Sequence, residues 1–279
     1  MTSNTKTWLI TGAARGLGLA MTRAALEAGH NVVAGARSLA GLSELAKAHG
    51  DRLIGVNLDV TDRAAADAAV ATAVAAFGGI DVLVNNAGYA DVAPIEEMAE
   101  GTFRAQFETN FFGVFNLSRA VLPTMRTQGS GRIIQISSVG GRIGGPGLGA
   151  YQSAKWAVNG FSEVLSREVA SFGIKVTVVE PGGMRTDWAG SSMDVPPLSD
   201  AYAPVIAPVV ERLRAADGKQ PSDPARIAQV LLDIAENPEP PLRLLIGSDA
   251  VAVAAGAAER LAASDAQWRA VSESVAYPS

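Results

Sequence analysis

The chain has 279 residues, 48% of them hydrophobic and 18% charged, with 29 glycines and a net charge of −5. That balance suits one large α/β domain with many tight turns, and with no Lys/Arg cluster it argues against nucleic-acid and anionic-membrane binding. The sequence has no cysteine, which excludes disulfides, thiolate chemistry and Cys-ligated metals, and it has only two histidines.

Residues 1–6 are polar and lead directly into an apolar strand at 7–11, with no signal-peptide pattern, so the cytoplasm is the expected compartment. The strand runs into Thr11-Gly12-Ala-Ala-Arg15-Gly16-Leu17-Gly18, and a helical pattern follows at 17–28. Glycines in that context let the chain turn tightly and bring a pyrophosphate onto backbone N–H groups at the positive end of a helix. His30 lies in a Gly-His-Asn turn and His49 in an Ala-His-Gly stretch; both are expected in solvated loops, which argues against a triad or a zinc site.

The second strand, 31–36, ends in Ala36-Arg37 with no acidic residue to accept from a ribose 2′-OH. Arg37 and Arg15 instead offer two guanidinium groups, which suit a 2′-phosphate and point to NADP(H). A helix at 39–48, a strand at 53–58 and a helix at 62–77 come next; the Ala-rich run 64–77 contains Asp67 and is too short to span a membrane. Strands at 82–85, 132–137 and 175–180 alternate with helices at 102–127 and 150–172. Their Val/Ile/Leu character without alternation fits strands buried on both faces of a parallel sheet, joined by right-handed crossovers.

A Pro-rich, irregular stretch covers 186–222 and carries Trp188, Met193 and Tyr202. A helix at 224–236 follows, with Asp223 as its cap and Pro224 in its first turn. The last strand is expected at 242–246, and 249–275 reads as one or two Ala-rich helices. No linker or internal repeat divides the chain, so 1–279 is read as a single domain.

Tyr151 and Lys155 stand one helical turn apart, with Ser138 upstream. Positions i and i+4 share a helix face, so phenol and ammonium can enter one pocket. An adjacent ammonium favours the phenolate, which is expected to lower the Tyr151 pKa towards neutrality. With Ser138 holding a carbonyl oxygen, the three make a proton-transfer centre for a C=O/CH–OH pair.

The sequence resembles the short-chain dehydrogenase/reductase family. Thr11-Gly12-x-x-x-Gly16-x-Gly18, Asn85-Asn86-Ala87-Gly88, Asn110, Ser138, Tyr151-x-x-x-Lys155 and Pro181-Gly182-x-x-x-Thr186 match its motifs in order. The resemblance is strong over residues 7–190. It implies a seven-stranded Rossmann-type parallel sheet in the order 3-2-1-4-5-6-7, with the site at the carboxyl ends of the strands.

Carried over by motif, Gly12, Arg15, Gly16, Leu17 and Gly18 would hold the pyrophosphate and Arg37 the adenosine end. Asp59 and Val60 would face the adenine, and Asn86, Ala87 and Gly88 would line the adenine-ribose side and stabilise the fourth strand. Pro181, Gly182, Met184 and Thr186 would hold the nicotinamide. Asn110 would bind a water that links Lys155 to solvent, completing a Ser-Tyr-Lys-Asn set. The implied activity is NADPH-dependent interconversion of a ketone or aldehyde and its alcohol, with Tyr151 as general acid/base and Lys155 gripping the nicotinamide ribose. A non-catalytic NADP(H)-binding regulator and an epimerase or dehydratase of related fold are the alternatives. The first usually lacks the Tyr or Lys present here, and the second usually has a longer chain.

Residues 186–222 correspond to the family's substrate loop. Trp188, Met193, Val195 and Leu198 would either line a pocket for a lipophilic substrate or pack the loop onto the body. Arg142 and Arg185 would meet an anionic substrate or form structural ion pairs. The extension 248–279, with Trp268, departs from the family's plain pattern. It is expected to cover the sheet edge or repack an interface, favouring a dimer through the helices at 102–127 and 150–172 over a tetramer.

Overall fold

The computed structural model describes residues 5–188 and 193–277. Its first strand, β1 (Thr7–Thr11), is buried along its whole length. On one side lie β2 (Asn31–Ala36) and β3 (Leu53–Asn57); on the other come β4 (Val82–Asn85), β5 (Gly131–Ile136), β6 (Ile174–Pro181) and β7 (Arg243–Ile246). All pair in parallel, in the order β3-β2-β1-β4-β5-β6-β7, which is the expected sheet.

Side chains alternate between two cores. Trp8 and Ile10 face one layer with α1 (Gly16–Glu27), α2 (Ser43–His49) and α8 (Pro224–Glu236). Leu9 faces the other with α3 (Arg63–Phe77), α5 (Gly113–Gln128) and α6 (Gly149–Val169). Strand order reverses between β1 and β4, and that switch opens a crevice at the carboxyl ends, where doubly wound sheets bind ligands. Only the outer strands lose two-sided burial: β3 is buried at Leu53 and then alternates half-buried with exposed positions, and β7 is half-buried throughout.

Local signals hold where they are strongest. Asp62 caps α3 by accepting from the N–H groups of Ala64 and Ala65, and Asp223 caps α8 through Ala225 N–H at 2.8 Å. The helix expected at 102–127 divides in three. α4 (Glu100–Phe107) passes through a π-helical turn, Glu108–Phe112, into α5. Such a turn inserts a residue into the i→i+4 ladder and changes which side chains face inward.

Two expectations are corrected, the irregular stretch and the solvated histidines. The stretch 186–222 is not wholly irregular: it contains α7 (Ala203–Ala215), whose Ile206 and Val210 pack on Val92. Pro204 and Pro208 obscured it, the first at a helix start where proline is tolerated. His30 is buried, not solvated; it stacks on Trp8 at 6.0 Å and accepts the Lys6 N–H at Nδ1. Burial holds its pKa below the ordinary imidazole value. His49 is half-buried in the last turn of α2, 3.0 Å from Arg52. The C-terminal region is one helix, α9 (Ser248–Glu273), and only Ala250 and Ala254 of it are buried.

Candidate active site

The phosphate end is built from backbone geometry. Gly12 and Gly16 take φ of +63° and +52°, the left-handed region that disfavours side chains. Gly18 lies so close to Gly12 that a Cβ there would strike the Gly12 carbonyl oxygen. α1 therefore begins directly beneath the turn, with no side-chain cap and no acidic residue in its first turn. Its N–H groups and dipole remain available to an anion. Leu17 is buried and anchors the helix start in the core.

Asn86 has the stabilising role expected of its segment. Its side-chain amide donates to Thr11 O at 2.9 Å and Gly12 O at 3.3 Å, and Thr11 Oγ1 accepts from Asn86 N and Ala87 N. The Asn-Asn-Ala-Gly segment thus clamps the glycine turn. Asn85 is similarly internal, donating to Gln135 and Ser118 between β4, β5 and α5.

Arg15 and Arg37 come together as expected. They line one cleft of about 720 Å³ with Thr61, Tyr89, Ala105, Glu108 and Thr109. Asp59 lies at its β3 side, exposed, accepting from Thr61 N at 3.0 Å and Thr61 Oγ1 at 2.8 Å. The Thr61 backbone bond holds its carboxyl below the usual range, and the Arg37 charge acts in the same direction. The Val60 side chain is buried against Gly113.

Ser138, Tyr151 and Lys155 meet at the carboxyl end of β5. Ser138 caps a short 3₁₀ turn by accepting Gly140 N–H at 3.0 Å. Tyr151 and Lys155 are both buried on α6. The expected acidification of Tyr151 is absent. Burial pushes its pKa up to about 12, with only a hydrogen bond to Ser138 acting in the opposite sense. Lys155 carries the compensating change, lowered by burial to about 8. Its ammonium donates to Ile136 O at 2.8 Å and stands 5.7 Å from the Tyr151 ring centre. Desolvation therefore sets the direction at the phenol.

Asn110 sits in the π turn, fully buried, and its side chain exchanges hydrogen bonds with Tyr89: N–H to Oδ1 at 3.0 Å and Nδ2 to O at 2.8 Å. Gly88 lies against both Asn110 Oδ1 and Lys155 Nζ, so any larger residue there would separate them. The π turn is what aims Asn110 at the strand-4 loop.

A short chain dehydrogenase family model matches residues 6–195. The chain belongs to the short-chain dehydrogenase/reductase family. It is 54% identical to the oxidoreductase BOA17 of Botryotinia fuckeliana, over 96% of this chain and 98% of that protein. The crystal structure of a short-chain dehydrogenase from Streptomyces avermitilis superposes with a TM-score of 0.92 at 39% identity, over 98% of this chain and all of that one. An alcohol dehydrogenase from Thermococcus sibiricus, solved with 5-hydroxy-NADP, superposes with a TM-score of 0.72 at 25% identity, covering 87% of this chain and 96% of that one.

In this oxidoreductase the segment after β6 closes the crevice. Gly182 N donates to Ile246 O, Arg185 N to Ser222 O, and the Thr186 side chain lies against Gly16. The loop thus spans from the last strands to the phosphate turn, with Pro181 buried and Met184 packed on the core. Trp188 comes to rest 5.3 Å from the Tyr151 ring. Met193, Val195 and Leu198 instead pack the loop onto Val92, Ile206 and Val210, so of the four apolar candidates Trp188 is the one placed beside Tyr151.

The two arginines are structural. Arg142 Nε donates to the buried Glu180 at 2.8 Å, and Asn159 Nδ2 holds the other carboxylate oxygen at 2.9 Å. Arg185 Nε donates to Gln220 O. Sequence reasoning missed Glu180 and Asn159, which brace the Ser138 turn through Arg142 and Gly141 O. It also missed Asp249. That carboxylate accepts Gly183 N–H at 2.7 Å, touches Gly182, and leaves Oδ1 buried without a partner. Nothing local marks such residues, because their partners lie far away in the chain. Among the described residues no cluster suits a metal ion, and no helix is long and apolar enough to cross a membrane.

Proposed function

We propose that the protein is an NADP(H)-dependent reductase of ketones or aldehydes, working also in reverse on the corresponding alcohols. The observation that carries the reading is the convergence of Ser138, Tyr151 and Lys155 beside a crevice that begins at an uncapped helix start and ends between Arg15 and Arg37. The chain's residues fit a dinucleotide: glycines at the pyrophosphate, an open N-terminus on α1, and paired guanidinium groups for a 2′-phosphate. The segment from Pro181 to Thr186 would hold the nicotinamide, and Asp59 the adenine side.

When bound, the reduced nicotinamide supplies the hydride that reaches the carbonyl carbon. Ser138 Oγ and Tyr151 Oη hydrogen-bond the carbonyl oxygen, and Tyr151 transfers its proton to that oxygen as negative charge builds there. Lys155 compensates the phenolate left behind, and solvent restores the phenol proton by way of a water at Asn110. A phenol of high pKa in the closed protein is a poor acid. A cation near the phenol favours proton transfer, and Lys155, 5.7 Å from the Tyr151 ring centre, is the group placed to supply it.

Trp188 beside Tyr151 favours a lipophilic or aromatic carbonyl substrate, because its ring offers apolar area at the point of reaction. The test is oxidation of NADPH and NADH by the purified chain over ketones, aldehydes and keto-acids. Tyr151→Phe is expected to bind NADPH normally while turnover falls by about 10²–10⁴-fold. Arg37→Asp is expected to shift preference towards NADH. Near-normal turnover of the first variant defeats the catalytic assignment, and unchanged preference in the second defeats the cofactor assignment.

A further inference from the structure

Tyr151, Lys155 and Asn159 stand at i, i+4 and i+8 on α6, so all three lie along one face of the helix. Tyr151 and Lys155 belong to the proton-transfer group; Asn159 is equally buried but is bonded entirely within the protein. Its Oδ1 accepts from Ser137 Oγ at 2.7 Å, and its Nδ2 donates to Gly141 O at 3.0 Å and to Glu180 Oε1 at 2.9 Å. The amide can face only one way, because the flipped form would set its oxygen against a carbonyl and a carboxylate. Glu180 is wholly buried near the end of β6, next to Pro181, and its other oxygen accepts Arg142 Nε at 2.8 Å. Arg142 is the residue at which the short turn opened by Ser138 ends. The fit is tight: a Cβ at Gly141 would come within 2.7 Å of Asn159 Nδ2 and 3.0 Å of Lys155 O.

We propose that Asn159 and Glu180 are positioning residues for carbonyl reduction, which fix the Ser138 hydroxyl relative to the Tyr151 phenol; this rests on the roles proposed for Ser138 and Tyr151. Those two groups come from different elements, one from the turn after β5 and the other from α6, yet both must reach a single carbonyl oxygen. Misplacement by about 1 Å costs on the order of 10²-fold in rate. The Ser138 turn closes on itself, through Gly140 N to Ser138 Oγ and Arg142 N to Val139 O, and neither bond touches α6. Asn159 supplies the registration, holding the chain before Ser138 at Ser137 and after it at Gly141. Glu180 adds a second direction. It immediately precedes Pro181, so one carboxylate links the Ser138 turn, α6 and the strand leading into the segment proposed for the nicotinamide. A wholly buried carboxylate, even with Arg142 and with Arg243 at 3.6 Å, carries a desolvation cost that apolar residues of similar volume avoid. What it adds is directional bonding between three elements.

The test is steady-state reduction by the full chain and by Asn159→Leu, Glu180→Gln and Ser137→Ala, each checked for folding by circular dichroism. Asn159→Leu and Glu180→Gln are expected to lower kcat by about 30–100-fold. The carbonyl KM and the NADPH dissociation constant are expected to change less than about threefold, because no binding contact is removed. Ser137→Ala, which deletes one bond to Asn159, is expected to lower kcat by about 3–10-fold, and it carries the test if either of the others does not fold. The decisive measurement repeats each substitution in a Ser138→Ala background. A residue that acts by placing Ser138 has little left to place there, so the same substitutions are expected to cost less than about threefold. Met125→Ala truncates the core at the opposite end of β5, beside Gly131; it is expected to lower Tm while leaving kcat unchanged. Equal losses with and without Ser138, an unchanged kcat in folded Asn159→Leu, or a matching kcat loss in Met125→Ala overturns the proposal. If Tyr151→Phe turns over normally, the catalytic reading falls and the proposal with it; if Tyr151→Phe is inactive and Asn159→Leu fully active, the positioning role alone falls.

Discussion

Lys155 reaches past Tyr151: its ammonium donates to Ile136 O at 2.8 Å while lying 5.7 Å from the Tyr151 ring centre. The pair is close enough to cooperate but is not arranged as an ion pair with the phenolate. Both groups are buried, and burial drives their pKa values in opposite directions, Tyr151 to about 12 and Lys155 to about 8. Each change favours the neutral form.

The lysine makes a stability prediction. A pKa of about 8 in the folded chain against the ordinary 10.5 means that the unfolded state binds more protons between those values. Stability of the cofactor-free protein therefore rises as pH increases through that window. Below pH 8 the charged lysine costs the fold a few kcal/mol, because each tenfold change in acidity corresponds to about 1.4 kcal/mol. Lys155→Met is expected to raise Tm in cofactor-free protein at pH 7 by several degrees while abolishing reduction. A lowered Tm in that variant would show that the bond to Ile136 O outweighs the desolvation.

The glycine turn predicts a sharp loss from a single methyl. Gly18→Ala sets a Cβ onto the Gly12 carbonyl and against the Asn86 amide, which already holds that turn. Overpacking of this sort costs about 1–3 kcal/mol, and it would displace the N–H groups meant for the pyrophosphate. Cofactor affinity, read by NADPH fluorescence titration, is expected to fall at least tenfold. Normal affinity would mean that phosphate contacts lie elsewhere.

Asp249 ties α9 to the loop after β6, one carboxylate oxygen accepting Gly183 N–H at 2.7 Å. Asp249→Ala leaves that donor without its partner, at a cost of about 1–3 kcal/mol. Melting should drop by several degrees, and NADPH should bind several-fold more weakly because the loop loses one of its supports. If the variant melts lower yet binds NADPH as before, Asp249 supports the fold without shaping the site.

The sheet was legible in the sequence because its strands are short, apolar and β-branched, and each meets a turn or a cap. Thr7–Thr11 with its glycine turn and Asp223-Pro224 before α8 are local statements, settled within a few residues. The proton-transfer group was legible for the same reason: i and i+4 on a helix are neighbours whatever surrounds them. α7 was hidden because Pro204 and Pro208 read as breakers, and the π turn at Glu108–Phe112 has no periodicity of its own.

While the strand order came from the family resemblance, sequence by itself thus determined the alternation of strands and helices and which phenol, hydroxyl and ammonium would share a pocket. It also determined that Arg15 and Arg37 would flank the crevice. Only the tertiary structure decided their chemical state and support: a phenol made less acidic by burial, Asn86 bound to the glycine turn, Glu180 and Asp249 placed beneath the catalytic loops. The physical reason is one of range. Backbone conformation and helical spacing are fixed by neighbours in the chain, whereas desolvation and long-range hydrogen bonds depend on whatever the fold brings alongside.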